Sequence, residues 1–232
     1  MTTADRACYK PGVPTAVSET LRVAGAPRPA PVLYRVLRRP VRAVLERLFD
    51  LRIEGLEQLP LAGPYIVAAN HHNYLDGVVL GVASPEPIAF LVMPRVFHAT
   101  PLHPAFHRHI GSIPLNLARP DVGALRSALA ALRQGQVVGI FPEGPFSVRG
   151  RLERGLPGVA LLALRSGVPV VPAGVSGTYE ALVNRRAYVP RRHPLRVRFG
   201  PARRYASDDC HPRLARASVT QQIMDDIAAL LR

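Results

Sequence analysis

With 232 residues the chain suits a single domain, long enough to bury a substantial hydrophobic core. Its 30 basic residues against 16 acidic ones give a formal net charge of +14, carried by arginine because Lys10 is the one lysine. The arginines are scattered without interleaved aromatics, which speaks against the known nucleic-acid modules, and two distant cysteines, Cys8 and Cys210, form no disulfide framework or metal knuckle.

Residues 1–30 are rich in Pro, Ala and Thr without periodicity and read as a mobile tail, lacking the continuous apolar core of a signal peptide. From 31 to 50 the apolar residues Val32, Leu33, Val36, Leu37, Val41, Val44, Leu45 and Leu48 recur near one helical face. Arg35, Arg38, Arg39, Arg42 and Arg47 fall largely elsewhere, and Pro40 predicts a kink or a division. Such a helix lies on an anionic membrane or packs on a core, and different faces allow both. No run approaches the ~20 apolar residues of a membrane span, so any membrane contact is expected to be peripheral.

Over residues 51–232 strands alternate with helices. Strands are expected at Leu51–Gly55, Pro64–Ala69, Ile88–Met93, Ser112–Leu117, Val137–Phe141 and Val168–Val175, and the alternating Leu195–Phe199 reads as an edge strand. Helices are expected from Gly77 to Val82, from Asp121 to Gly135, from Val159 to Gly167, and from a capping box at Ser218 to the end. This pattern predicts an α/β fold, one layered domain with a mostly parallel sheet flanked by helices and preceded by the amphipathic basic helix. Between Phe97 and Ile110 stand His98, His103, His107 and His109; His103 and His107 share a helical face, but no third ligand follows, so no metal site is expected.

At the end of one buried strand stands Asn70-His71-His72-Asn73-Tyr74-Leu75-Asp76. A histidine at a strand end and an aspartate five residues on, inside a helix, can meet across the turn as a base and its orienter. The same spacing also describes a polar turn with a capping aspartate. Another apolar strand ends in Phe141-Pro142-Glu143-Gly144.

Together, Asn70-His71-x4-Asp76 and Phe141-Pro-Glu-Gly144 resemble motifs of the glycerophospholipid acyltransferase family, which includes the 1-acyl-glycerol-3-phosphate acyltransferases. Two further blocks keep the family's order, Gly111-Ser-Ile-Pro-Leu-Asn116 between them and Val168-Pro-Val-Val-Pro172-Ala-Gly174 after them. The resemblance covers residues 56–201, and four ordered blocks are far more specific than any one. It implies transfer of a fatty acyl group from a thioester, on CoA or an acyl carrier protein, to a lysophospholipid hydroxyl. The first expected acceptor is 1-acyl-glycerol-3-phosphate, giving phosphatidic acid. His71 is implied as general base with Asp76 holding it, while His72 occupies a position that varies in the family. Asn70, Asn116, Glu143 and Gly144 are implied in binding substrate. No metal, covalent intermediate or cofactor beyond the acyl donor is implied. The expected setting is the cytoplasmic face of the cell membrane, held peripherally on an anionic surface, with no nucleic-acid partner.

The match departs at three usually basic positions, occupied here by Leu117, Phe146 and Leu156. Arg119 and Arg149 are the expected stand-ins for the phosphate contact. The losses leave acylation of another lipid hydroxyl, or a non-catalytic lipid-binding relative, as alternatives. A hydrolase is disfavoured because no Gly-x-Ser-x-Gly elbow is present.

Overall fold

The structure is a computed structural model that describes residues 31–115, 122–147, 149–182, 189–206 and 212–232. In chain order the elements are α1 Val32–Phe49, β1 Arg52–Glu54, β2 Ile66–Ala69, α2 Tyr74–Ala83, β3 Ile88–Val92, α3 Pro94–Phe97, α4 His103–His109 and β4 Ile113–Pro114. There follow α5 Val122–Arg133, β5 Val137–Ile140, α6 Gly158–Ser166, β6 Val170–Ser176, α7 Thr178–Ala181, β7 Arg196–Phe199 and α8 Pro212–Leu230. Asn116, Arg119 and Asp121 lie outside the described residues, as do the tail 1–30 and both cysteines.

The strands form one sheet in the order β1-β7-β6-β2-β5-β3-β4. β6, β2, β5, β3 and β4 run parallel, while β7 is antiparallel to β6 and parallel to β1. The alternation of side chains along β2 shows how the layers are built. Val67 and Ala69 pack with Leu45 and Phe49 of α1 and Val79 and Leu80 of α2. Ile66 and Ala68 pack with Ala128 and Leu132 of α5, Val159 and Leu162 of α6, and Ile223 and Ile227 of α8. β2 is buried on both faces, as its unbroken apolar run requires of a central parallel strand.

Several boundaries differ from those expected. α1 is not divided: Pro40 sits inside a continuous 18-residue helix, exposed to solvent, where the carbonyl it leaves unpaired costs least. The apolar face of α1 also splits. Leu45 and Phe49 enter the core, whereas Val32, Val36, Val44 and Leu48, one helical turn apart in two pairs, remain exposed. β7 is not an edge strand; it lies between β1 and β6, and its alternation arises because Arg196 and Arg198 reach Glu54 of the true edge strand β1. α8 begins at Pro212, so Ser218 lies within it; only its buried face starts near there, at Val219.

α1 is tied to the domain by Tyr34, whose hydroxyl lies 2.9 Å from the carbonyl of Gly81 and 3.1 Å from those of Ser84 and Glu86. Burial pushes the phenol up to about 12, so it remains a donor at any physiological pH. Tyr34→Phe should lower the unfolding free energy by about 1 kcal/mol and speed proteolysis within α1. An unchanged denaturation midpoint and cleavage rate would mean that packing alone holds the helix.

Candidate active site

The site forms where β2 ends and α2 begins. β2 pairs with β6 up to Ala69 and Ala173, and the side chain of Asn70 then extends the ladder. Its Nδ2 donates to the Val175 carbonyl at 2.8 Å and its Oδ1 accepts from the Val175 N–H at 2.7 Å. Asn70 is fully buried with both ends of its amide engaged. Its place is therefore in the scaffold and not against a substrate, because no donor or acceptor is left to offer.

Asn73 caps α2, accepting from the Leu75 N–H at 2.9 Å, and its own N–H donates to Asp76 Oδ2 at 2.7 Å. The same oxygen accepts from the His72 N–H and stands 2.9 Å from His71 Nδ1. The two readings of this aspartate are thus one: it caps the helix and orients the imidazole. With the carboxylate as acceptor, Nδ1 carries the proton and Nε2 carries the lone pair. Asp76 is fully buried, which strengthens its hold on the ring.

The backbone of His71 is held from the other side of the sheet's end, by the turn leaving β5. Its N–H donates to Glu143 Oε1 at 2.7 Å, and its carbonyl accepts from the Ser147 N–H at 2.8 Å. Glu143 Oε2 accepts from the Glu153 N–H at 2.7 Å. Like Asn70, Glu143 is buried with both oxygens occupied, so it braces two loops instead of meeting an acceptor. Gly144 has φ 76, and a Cβ there would come within 2.8 Å of Leu156 Cδ1, so the turn needs glycine. The imidazole of His71 stacks on Phe141 at 3.7 Å between centroids and meets the edge of Phe146 at 4.5 Å. Phe146, at a position where a cation was expected, is a wall of the base's pocket.

His71, Tyr74, Phe141, Gly144 and Phe146 face a cleft of about 1870 Å³ over the carboxyl ends of β3 and β5. Its remaining walls come from α1, α2, α4, α5 and α6 and are mostly apolar. His72 points elsewhere: it is buried, its Nδ1 is 3.5 Å from Thr178 Oγ1, and burial lowers its pKa. Arg149 is exposed and does not line the cleft, so it is not the stand-in expected of it. The cleft's described cations are Arg38, Arg95 and Arg216, none of which the sequence singled out. Arg95, following β3, places its guanidinium 5.6 Å from the centre of the Phe146 ring. Its place just beyond the carboxyl end of a parallel strand was the one available signal.

His103 and His107 do face each other, with ring centroids 5.8 Å apart, but they bond to Thr100 and Ser112. Among the described residues no group of three or more His, Cys, Asp or Glu side chains is placed to hold a metal, and no helix is long and apolar enough to cross a membrane.

Burial pushes the Glu143 carboxyl up to about 7, against the two N–H groups that favour its charged form. Between the ordinary carboxylate range and about pH 7 the native state keeps this proton while the unfolded chain releases it. Its contribution to stability therefore falls as pH rises through that window. Glu143→Gln should flatten the decline while lowering stability overall, because its NH₂ must face one of the two backbone donors. Denaturant titrations at either end of the window check both effects, and parallel curves for the two proteins would show that Glu143 does not titrate there.

A family model described as Acyltransferase matches residues 50–176. The 1-acyl-sn-glycerol-3-phosphate acyltransferase of Bacillus subtilis is 24% identical over 149 residues, 62% of this chain and 72% of the relative. A chloroplastic enzyme of the same name from Arabidopsis thaliana is 32% identical over 133 residues, 56% of this chain and 37% of the relative. The fold matches the crystal structure of the 1-acyl-sn-glycerophosphate acyltransferase from Thermotoga maritima, with TM-score 0.68, 22% identity, and coverage of 85% of this chain and 79% of that one. The family match spans more than half of the chain and contains both of its strand-end motifs, and the chain belongs to the glycerophospholipid acyltransferase family.

Proposed function

We propose that this acyltransferase moves a fatty acyl group from a thioester, on CoA or an acyl carrier protein, to a lysophospholipid hydroxyl, with 1-acyl-glycerol-3-phosphate as first acceptor and phosphatidic acid as product. The observation that carries this reading is the His71–Asp76 pair at 2.9 Å, opening onto a large apolar cleft with arginines but no Asp or Glu among its described lining residues. The activity named for the Bacillus and Arabidopsis relatives agrees with it.

In this mechanism His71 Nε2 takes the proton as the acceptor oxygen attacks the thioester carbonyl. Asp76 stabilises the imidazolium so formed. The tetrahedral intermediate then breaks its C–S bond, and the leaving thiolate receives the proton from His71. General-base assistance of ~10²–10⁴ supplies roughly 3–5 kcal/mol of barrier lowering; holding both substrates in one cleft supplies much of the rest. No nucleophilic side chain or metal is required. Arg95 takes the acceptor phosphate, replacing the family arginines absent at Leu117 and Phe146. The reaction takes place at the cytoplasmic face of the cell membrane, where arginine-rich α1 holds the protein peripherally on anionic headgroups.

Mass spectrometry of lipids after incubation with acyl-CoA or acyl carrier protein donors and a panel of lysolipids tests the reading directly; no acylated product from any pair would end it. His71→Ala should lose at least a hundredfold in kcat with little loss of stability, and His72→Ala should keep most activity. Equal losses would remove His71 from the role.

Arg95→Ala should raise KM for a phosphate-bearing acceptor by about tenfold or more, leave the donor KM nearly unchanged, and be only partly rescued by lysine. Arg149→Ala should do little. Normal acceptor kinetics in Arg95→Ala would place the phosphate elsewhere.

A further inference from the structure

Scattered exposed leucines on a protein surface need no explanation, but here large apolar residues from five separate segments are exposed around one opening. Leu37 of α1, Val78 of α2, Phe106 of α4, Val122 of α5 and Leu156, in the loop before α6, all line the cleft and are each 40–56% exposed. A residue that lines a cleft and is also exposed stands at its mouth. These five therefore form an apolar rim, to which α1, α2, α4, α5 and the loop before α6 each contribute one side chain. Arg38, Arg95 and Arg216 line the same cleft, and none of its described lining residues is Asp or Glu. The exposed Val32, Val36, Val44 and Leu48 of α1, interleaved with Arg35, Arg39 and Arg47, extend this apolar and basic character beyond the mouth.

Resting on the lipid acyl transfer proposed above, we infer that the mouth of the cleft is itself the membrane-docking surface, seated on an anionic lipid leaflet. The rim enters the boundary between headgroups and acyl chains, and the arginines meet lipid phosphates around it. Acyl chains then pass from the leaflet into the cleft without crossing water. An acidic protein would satisfy the arginines but would leave an apolar ring facing a polar surface. A lipid leaflet satisfies both, because its hydrocarbon continues into the apolar cleft. The orientation follows from the fold. His71 follows the carboxyl end of β2, whereas Leu61, 97% exposed, precedes its amino end, so Leu61 faces away from the membrane.

The chain contains no tryptophan, so a single introduced one reports on its own position. Four full-length variants, Phe106→Trp, Leu156→Trp, Val44→Trp and Leu61→Trp, are mixed with phosphatidylcholine–phosphatidylglycerol vesicles whose acyl chains are brominated. Emission at 106 and 156 should shift to the blue and be quenched severalfold more than at 61. Equal quenching at 61, no quenching at 106 and 156 in vesicle-bound protein, or quenching at 44 alone would each overturn the inference; the last would put docking on α1 only. Phe106→Glu combined with Leu156→Glu, in protein whose circular dichroism is native, should weaken vesicle partitioning by about a hundredfold; unchanged partitioning would likewise overturn it. Quenching is read without turnover. Acyl transfer in detergent micelles without rim quenching would sink the docking surface and spare the proposed activity, whereas rim quenching without turnover supports the surface and counts against the activity.

Discussion

One oxygen atom organises the site. Asp76 Oδ2 accepts from two backbone N–H groups at the start of α2 and from His71 Nδ1. The backbone bonds would form in any helix capped this way, so the carboxylate is placed before the imidazole needs it. Helix capping thus does the positioning that a catalytic pair requires, and the ring's orientation costs little further order. The fully buried carboxylate keeps its hold on the ring in a low-dielectric setting, where a hydrogen bond to a charge is strongest.

The rest of the site is arranged to hold that base from outside α2. Glu143 and Ser147, in the turn after β5, grip the N–H and carbonyl of His71, while Phe141 and Phe146 confine its ring. Asn70 locks the preceding residue to β6. β5 and β6 both pair with β2, so three neighbouring parallel strands fix one residue from three directions. Motif residues that look like ligands in the sequence, Asn70 and Glu143, are consumed in this bracing. A binding role passes instead to residues facing the cleft, and its cations are Arg38, Arg95 and Arg216.

The cleft's composition joins chemistry to substrate. A neutral imidazole as base and a thioester as electrophile need no charged nucleophile, and acyl chains need apolar walls. Basic groups without acidic ones among the described lining bias the space toward anionic lipids. The histidines of α4 belong to these walls, with His103 and His107 bonded to Thr100 and Ser112. Their i, i+4 spacing is therefore accounted for by local packing and hydrogen bonding.

The sequence by itself determined the α/β class, the strands Ile66–Ala69 and Val137–Ile140, and the pairing of His71 with Asp76, because each depends on short-range geometry: apolar runs, helix caps and a five-residue turn. It also marked Glu143 and Gly144 as a unit, since a strand-end turn is local. Only the tertiary structure decided which groups remain free to act. Asn70 is spent on Val175, 105 residues away, and Glu143 on His71, 72 residues away, and no spacing along the chain encodes such distant partners. The same holds for α1, whose apolar residues share a helical period but divide between core and surface according to what the sheet covers. It holds too for β7, which alternates as an edge strand would yet lies inside the sheet because β1, far away in sequence, completes it. Arg95 carried no motif, and its place in the cleft emerged only when β3 was set beside β5.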